Sequence, residues 1–504
     1  MSEKPIFVTK RDGSKELLDI EKIHRVLFWA TEDIKNKSEF YVSQIEVGAK
    51  LLLEDGIQTK DIHRTLIKTA AQLISIEYPE YQYIASKLEL FDLRKKVWGD
   101  IDPPTLYDHI VKRIEDGFYD KKIITYFTKE EFQIIDTFIN HENDYQLAYA
   151  GIRQFIEKYI VQDRTTRKMI ETPQFVYIVA AIVMVGEMKH LKTKEDRIRK
   201  VNQLYQDFSS FMISLPSPIM GGLRTPLRQY SSCVTVAPAD DLESLGGSNV
   251  ITMLYGAARA GLGVDYTRIR AMDQPIRGGQ VKHTGLIPFL QALQKSLNSC
   301  SQGGMRKASA TVNLLSWHLD FEDLIQLKNN KGTEDNRERH LDYCFHINKY
   351  LMSRYLNYIN GKGKDYITLF SPEEVPELYD AFYSKDVDLF GRVYEQCEDN
   401  PNLTKRTISA RDWIYQIIIE RQQTGRIYLF FADNVNKQGL FTKPVRQTNL
   451  CVEITLPTEP VFSPKDNGRE YFILECGSEE EVLSVIKMND DDKLKLIQQL
   501  KAEG

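Results

Sequence analysis

CVTVAPADDLESLGGSNVITMLYGAARAGLGVD, Cys233 to Asp265, changes its period twice. Cys233 to Val236 alternates like a strand, Asn249 to Ala260 reads as a helix, and from Gly263 to Ile269 the text is strand-like again. Downstream the alternation continues: Leu286 to Leu297 is helical, Ser309 to Leu315 is strand-like, and Ile427 to Phe431 is a further strand candidate. Short β-rich segments separated by helices predict an α/β architecture, a parallel sheet or barrel of βα units.

Upstream the pattern differs. PIFVTKRDGSKELLDI, Pro5 to Ile20, alternates around Asp12-Gly13, a dipeptide that favours tight hairpin turns. Two helix patterns follow. Ile20, Ile23, Leu27 and Ala30 share a face with Asp19 as cap, and Ile62, Leu66, Ala70 and Leu73 share another with Asp61 as cap. Asp102-Pro103-Pro104 breaks this unit from a charged, aromatic-rich helical stretch running to about Asp207, read as packing and support. After about Gly468 the text becomes two short amphipathic helices: Ser478 is the cap of the first, Val482, Leu483, Val485 and Ile486 form one apolar group, and Leu494, Ile497 and Leu500 form the second.

Composition narrows the function. The 504 residues are 42% hydrophobic and 27% charged, which suits a globular protein of more than one domain. A net charge of -5 lacks the basic footprint of a nucleic-acid binder. The N-terminus has no secretory signal, which predicts a cytoplasmic protein. Phe175 to Gly186 is about half of the roughly 20 residues a membrane span requires and is closed by Glu187, so it predicts a buried core helix and no membrane association. The six cysteines, Cys233, Cys300, Cys344, Cys397, Cys451 and Cys476, are too dispersed for a disulfide framework or a zinc site. No His-Glu-x-x-His and no Walker lysine loop is present.

One cysteine has chemically suggestive neighbours. In QTNLCVEITLP, Gln447 to Pro457, an extended backbone would put Asn449, Cys451 and Glu453 on one side and Leu450, Val452 and Ile454 on the other. Thiol, amide and carboxylate would then line one surface. A half-buried strand with polar residues outward has the same spacing.

The surrounding text carries a resemblance. VTKRDGS (8–14), SLPSPIMGGLRTPLRQYSSCV (214–234), RAGLGVDYTRIRA (259–271), PIRGGQVKHTG (275–285), SCSQGGMR (299–306), LKNNKG (327–332), ITLFSP (367–372) and PVRQTNLCVEITLPTEP (444–460) occur in this order. Together they resemble the large, catalytic subunit of aerobic class Ia ribonucleoside-diphosphate reductase of bacterial and phage type. The resemblance implies an ATP-cone at 1–97 (hairpin plus helices), a helical N-terminal domain at 98–222, the first half of a ten-stranded α/β barrel with its finger loop at 223–468, and an amphipathic tail at 469–504 that the family does not share.

It also implies roles. Cys451 becomes a thiyl radical that abstracts the 3′ hydrogen of a ribonucleotide, Glu453 takes the 3′-hydroxyl proton as general base, and Asn449 orients the substrate hydroxyls. Cys233 is the first reducing thiol, which helps expel the 2′-hydroxyl as water and ends in a disulfide. Its partner is either Cys476, whose context LECGSE departs from the family pattern, or a cysteine on another chain. Ser217, Ser232, Gly261, Leu450 and Val452 fall on substrate-contacting positions. Lys10, Glu16, Leu17, Leu18, Asp19, Ile20, Glu21, Lys22, Thr59 and Lys95 fall on the ATP or dATP site. Asp240, Leu242, Arg270 and Arg277 fall on the effector site that selects the base, and Cys300 to Lys307 on the loop relaying that selection, where relatives often read Arg-Gly-Gly and this chain reads Arg306-Lys307-Ala308.

The expected activity is that of an oxidoreductase acting on CH or CH2 groups, with a dithiol as reductant. It has no covalently bound cofactor, takes ATP, dATP and other dNTPs as effectors, and leaves the metal cofactor to a separate radical-generating small subunit. The expected partners are a C-terminal half of the large subunit on another chain, that small subunit, thioredoxin or glutaredoxin, ribonucleoside diphosphates and further copies in a homo-oligomer. The expected setting is the cytoplasm of a bacterium or a phage-infected cell. Competing readings are an ATP-cone nucleotide-sensing regulator, an inactive truncated reductase and a glycyl-radical anaerobic reductase. A sensor would need none of Asn449, Cys451, Glu453 and Cys233.

Overall fold

Continuous apolar runs are what a strand covered on both faces requires, and CVTVAP, GLGVD, ATVNLL, DYCFHI and IYLFF all answer to it. In the computed structural model these are the strands Cys233–Pro238, Gly261–Asp265, Ala310–Leu315, Asp342–Ile347 and Ile427–Phe431. The structure describes residues 6–461 apart from 11–12, 35–36, 51–53, 164, 228, 300 and 303–305. The five strands lie side by side in chain order, all parallel, and a two-residue strand, Pro460–Val461, pairs with the outer side of Cys233–Pro238. Because each strand is added beside its predecessor, the winding never reverses. That is the course of a barrel wall rather than of a doubly wound sheet.

Element limits differ from the sequence reading at several points. The helix expected at Asn249–Ala260 starts earlier and runs Leu242–Ala257, and the strand expected at Gly263–Ile269 is Gly261–Asp265. Asp342–Ile347 is an additional sheet strand, while Tyr366–Phe370 and Lys405–Ser409 pair antiparallel apart from the sheet. The Ile287–Asn298 helix and the Ile427–Phe431 strand lie where their periodicity placed them.

The structure divides into two compact units, one holding residues 1–232, 257–260 and 301–308 and the other the remainder. In the first, Phe7–Thr9 and Lys15–Leu17 form the expected antiparallel hairpin, with Gly13 at φ 85° in its turn; Asp12 lies outside the described residues. Asp19 caps the Ile20–Thr31 helix by accepting from the Glu21 N–H at 3.1 Å. Asp61 is not a cap: the second predicted helix already starts at Thr59, so Gln58 is the N-cap and Asp61 falls in the first turn. The Tyr81–Trp98 helix ties two cores together. Ile84, Ala85 and Leu88 pack with Leu27, Tyr41 and Leu66, whereas Leu90, Leu93 and Val97 pack with Ile110, Phe132 and Phe175.

Pro173–Gly186 is the predicted core helix, with Phe175, Val176 and Ile178 through Ile182 fully buried. No helix among the described residues is long and apolar enough to cross a membrane. At the entry to this helix Glu171 is fully buried against the fully buried Arg224, which reaches it through Nε at 2.7 Å and again through its second terminal nitrogen. Glu171 also accepts from the Val161 N–H at 2.6 Å and from the Tyr119 hydroxyl, and Arg224 donates to the Tyr159 carbonyl at 2.9 Å. The helices expected after Ser478 lie outside the described residues.

Candidate active site

The stretch around Cys451 is not the extended strand that its alternation suggested. Thr448 and Thr455 form an antiparallel bridge, and between them the chain turns back on itself. Val452 N–H donates to the Asn449 carbonyl at 3.3 Å, Asn449 N–H donates to Ile454 O at 3.1 Å, and Val452 adopts φ 66°. A β-branched residue in the left-handed region is strained by roughly 1–2 kcal/mol, so the surroundings must enforce this turn. Asn449 forms it from inside: its Oδ1 accepts from the Glu453 N–H at 3.1 Å and the Ile454 N–H at 3.0 Å. Asn449 is therefore fully buried while Cys451 at the tip is exposed, and the two do not share one surface as a pleat would have required.

What converges is a different set. The remaining Asn449 amide donates to Cys233 Sγ at 3.1 Å, and Cys233 Sγ lies 4.0 Å from Glu453 Oε1. Cys233 opens its strand in register with Gly261, so this predicted glycine lies beside the thiol. Partial burial, with the Glu453 carboxylate and Cys233 beside it, pushes the Cys451 thiol above its ordinary pKa. Cys344 is buried on its strand and also pushed up by burial, and the half-buried Cys397 likewise; Cys300 and Cys476 lie outside the described residues.

The finger lies across the face of the sheet. Thr311 donates to the Leu450 carbonyl, and at Gly263 a Cβ would overlap the Thr448 carbonyl oxygen and stand 2.9 Å from Asn449 Cα. Asn313 grips the Thr448 backbone and is itself joined to His346 at 3.0 Å, with His346 Nδ1 2.8 Å from the Tyr383 hydroxyl. Sequence reading missed Gly263, Asn313, His346 and Tyr383. A signal was present, since polar residues interrupt the buried strands, Thr311 and Asn313 in ATVNLL and Asp342 and His346 in DYCFHI, and a buried polar group needs a partner.

Burial holds His346 neutral, with a pKa down to about 3 against an ordinary 6.5. Unfolded chains therefore take up this proton first as pH falls, so the stability is whole above pH 6.5 and is lost towards pH 3. At pH 5 the cost is about 2 kcal/mol relative to pH 7. Asp144, raised to about 6 by burial, works in the opposite sense, so the readout is the difference between wild type and His346→Gln. Chemical denaturation at pH 7 and pH 5 should show a smaller acid loss in the variant; equal losses would contradict the buried neutral ring.

The other predicted residues are placed as follows. Ser217 opens the short Ser217–Gly222 helix, and Ser232 directly precedes the Cys233–Pro238 strand. Glu16, Leu18, Asp19, Lys22 and Thr59 line one cavity with His63, Ile62 and Leu66. Lys10 meets Glu16 at 2.6 Å and Lys22 meets it at 3.2 Å, which holds the Glu16 carboxyl below its ordinary pKa. Leu17, Ile20 and Glu21 are exposed, and Lys95 pairs with Asp100 at 3.3 Å rather than lining that cavity. Asp240 and Arg270 form an ion pair at 2.7 Å, and burial raises the Asp240 pKa. Leu242 and Arg277 are exposed, and the side chains of 301–307 are outside the described set. Among the described residues no group of three or more His, Cys, Asp or Glu side chains is placed to hold a metal ion.

The ATP cone domain family model matches residues 6–96, the ribonucleotide reductase all-alpha domain 145–228 and the ribonucleotide reductase barrel domain 231–471. The chain is 46% identical over 459 residues to ribonucleoside-diphosphate reductase 1 subunit alpha of Escherichia coli, covering 90% of this chain and 58% of that protein. It is 43% identical over 470 residues to the alpha subunit of Haemophilus influenzae (93% and 60%) and 42% identical over 464 residues to that of Enterobacteria phage T4 (91% and 59%). The chain thus spans about three fifths of the length of the curated relatives it matches. With matches to an ATP cone, an all-alpha domain and a barrel domain, and with relatives that are alpha subunits of bacteria and a phage, the chain belongs to the ribonucleotide reductase family, among its bacterial and phage large subunits.

Proposed function

We propose that this chain reduces ribonucleoside diphosphates to deoxyribonucleotides. The reading rests above all on one juxtaposition: residues more than two hundred positions apart place the Asn449 amide 3.1 Å and the Glu453 carboxylate 4.0 Å from Cys233 Sγ, beside the finger tip that bears Cys451. Cys451, oxidised by one electron and stripped of its proton, takes the 3′ hydrogen of the substrate. Glu453 accepts the 3′-hydroxyl proton, and Cys233 protonates the departing 2′-hydroxyl, which leaves as water. Two electrons then come from Cys233 and a second thiol, which close as a disulfide, and the 3′ hydrogen returns from Cys451.

The radical would come from a metal-containing small subunit, and thioredoxin or glutaredoxin would reopen the disulfide. Ser217, Ser232, Gly261, Leu450 and Val452 would line the substrate. The cavity bearing Glu16, Lys22 and Thr59 suits ATP or dATP, because two lysines gather at Glu16 and the Thr59–Gln72 helix starts without a side-chain cap. Asp240, Leu242, Arg270 and Arg277 would take the effector that selects the base. The working division is 1–97, 98–222 and 223–468. CDP reduction, assayed with this chain, a radical-generating small subunit and a C-terminal large-subunit segment, omitting each in turn, tests the reading. Turnover should disappear when this chain is omitted and in Cys451→Ser; turnover that survives Cys451→Ser would sink it.

A further inference from the structure

The side chains that hold the base of the finger sit on strands that supply no reacting group. Thr448 N–H can only donate, and it faces Asn313 Oδ1 at 3.2 Å, which fixes the orientation of the Asn313 amide. Asn313 Nδ2 then donates to the Thr448 and Val264 carbonyls, each at 3.4 Å. His346 Nε2 lies 3.0 Å from that same Oδ1, so Nε2 must carry the imidazole proton, and Nδ1 accepts from the Tyr383 hydroxyl at 2.8 Å. Behind Tyr383, Tyr379 packs edge-on at 5.3 Å and its hydroxyl meets Thr267 at 2.9 Å. Asn313, His346, Thr448 and Asn449 are all at 0% exposure, so each bond is made without competition from water.

We propose that Asn313, oriented by His346 in its Nε2–H form and by Tyr383, is a positioning residue that clamps the finger at Thr448 and thereby sets the reach of Asn449 to Cys233. The inference rests on the reductase reading above and deepens it. A finger that crosses the face of a sheet has no ladder to pair with, and Asn313 supplies the missing donor and acceptor in peptide-like geometry. Asn449 follows Thr448 directly, so a displacement at the clamp carries into the amide that holds both the turn and the thiol.

The test compares full-length His346→Gln, His346→Leu and Tyr383→Phe. Glutamine can still donate towards Asn313 and accept from Tyr383; leucine can do neither. His346→Leu is expected to lower kcat by about 10- to 100-fold with KM within about threefold, while His346→Gln stays within about threefold of wild type and Tyr383→Phe falls between. A second readout is independent of turnover: iodoacetamide labelling mapped by mass spectrometry. His346→Leu should speed alkylation of Cys233 about fivefold or more and leave Cys397 unchanged, with His346→Gln close to wild type. Glutamine and leucine variants that behave alike in the labelling, or labelling of Cys397 that rises with that of Cys233, would overturn the clamp. An inactive wild type with the expected labelling pattern would instead count against the reductase reading and leave the clamp standing.

Discussion

Gly263→Ala is expected to reduce turnover at least about 100-fold, because the added methyl occupies the place of the Thr448 carbonyl and must push the finger off the sheet. A Cβ there would also stand 2.8 Å from Thr448 C and 2.9 Å from Asn449 Cα, and both are backbone atoms that cannot rotate aside. Gly263 pairs with Thr311 in the middle of a buried parallel ladder, so the strand cannot yield either. The stability cost should be smaller in proportion, about 1–3 kcal/mol, as for other overpacked interiors. Steady-state kinetics beside a denaturation curve would separate the two effects. An alanine variant that keeps wild-type kcat would mean that the finger does not need its present height.

The largest stability effect is expected in the helical part of the chain. Glu171→Ala should cost about 3–5 kcal/mol, since it leaves the Arg224 guanidinium buried without its counter-charge and removes the acceptor of the Val161 N–H and the Tyr119 hydroxyl. The paired replacement Glu171→Leu with Arg224→Met removes both charges and should recover most of the loss. Urea denaturation of the two variants decides the matter. If the single and paired variants unfold together, the ion pair is not what holds the entry to the Pro173–Gly186 helix.

How far the sequence reached can be seen at particular residues. Local periodicity located the Ile427–Phe431 strand, the Ile287–Asn298 helix and the buried Pro173–Gly186 helix, because each is set by side chains within one element. The cap at Asp19 was legible for the same reason, and Asp61 failed because a start can move three residues without altering the apolar face. The Asp342–Ile347 strand was missed even though DYCFHI is apolar enough, since polar and aromatic letters within it blur a two-residue period.

The sequence by itself determined the βα alternation, the family resemblance and the candidate residues proposed from it, which are properties of local pattern and of order along the chain. Only the tertiary structure decided how those residues meet. A pleated strand and a tight hairpin tip are equally compatible with Asn449, Cys451 and Glu453 at alternate positions. The choice is made by Asn313 gripping Thr448 and by the empty volume at Gly263, contacts separated by more than a hundred residues. Because the strain at Val452 is offset by those distant contacts rather than by its neighbours, no local reading of QTNLCVEITLP could have revealed the turn.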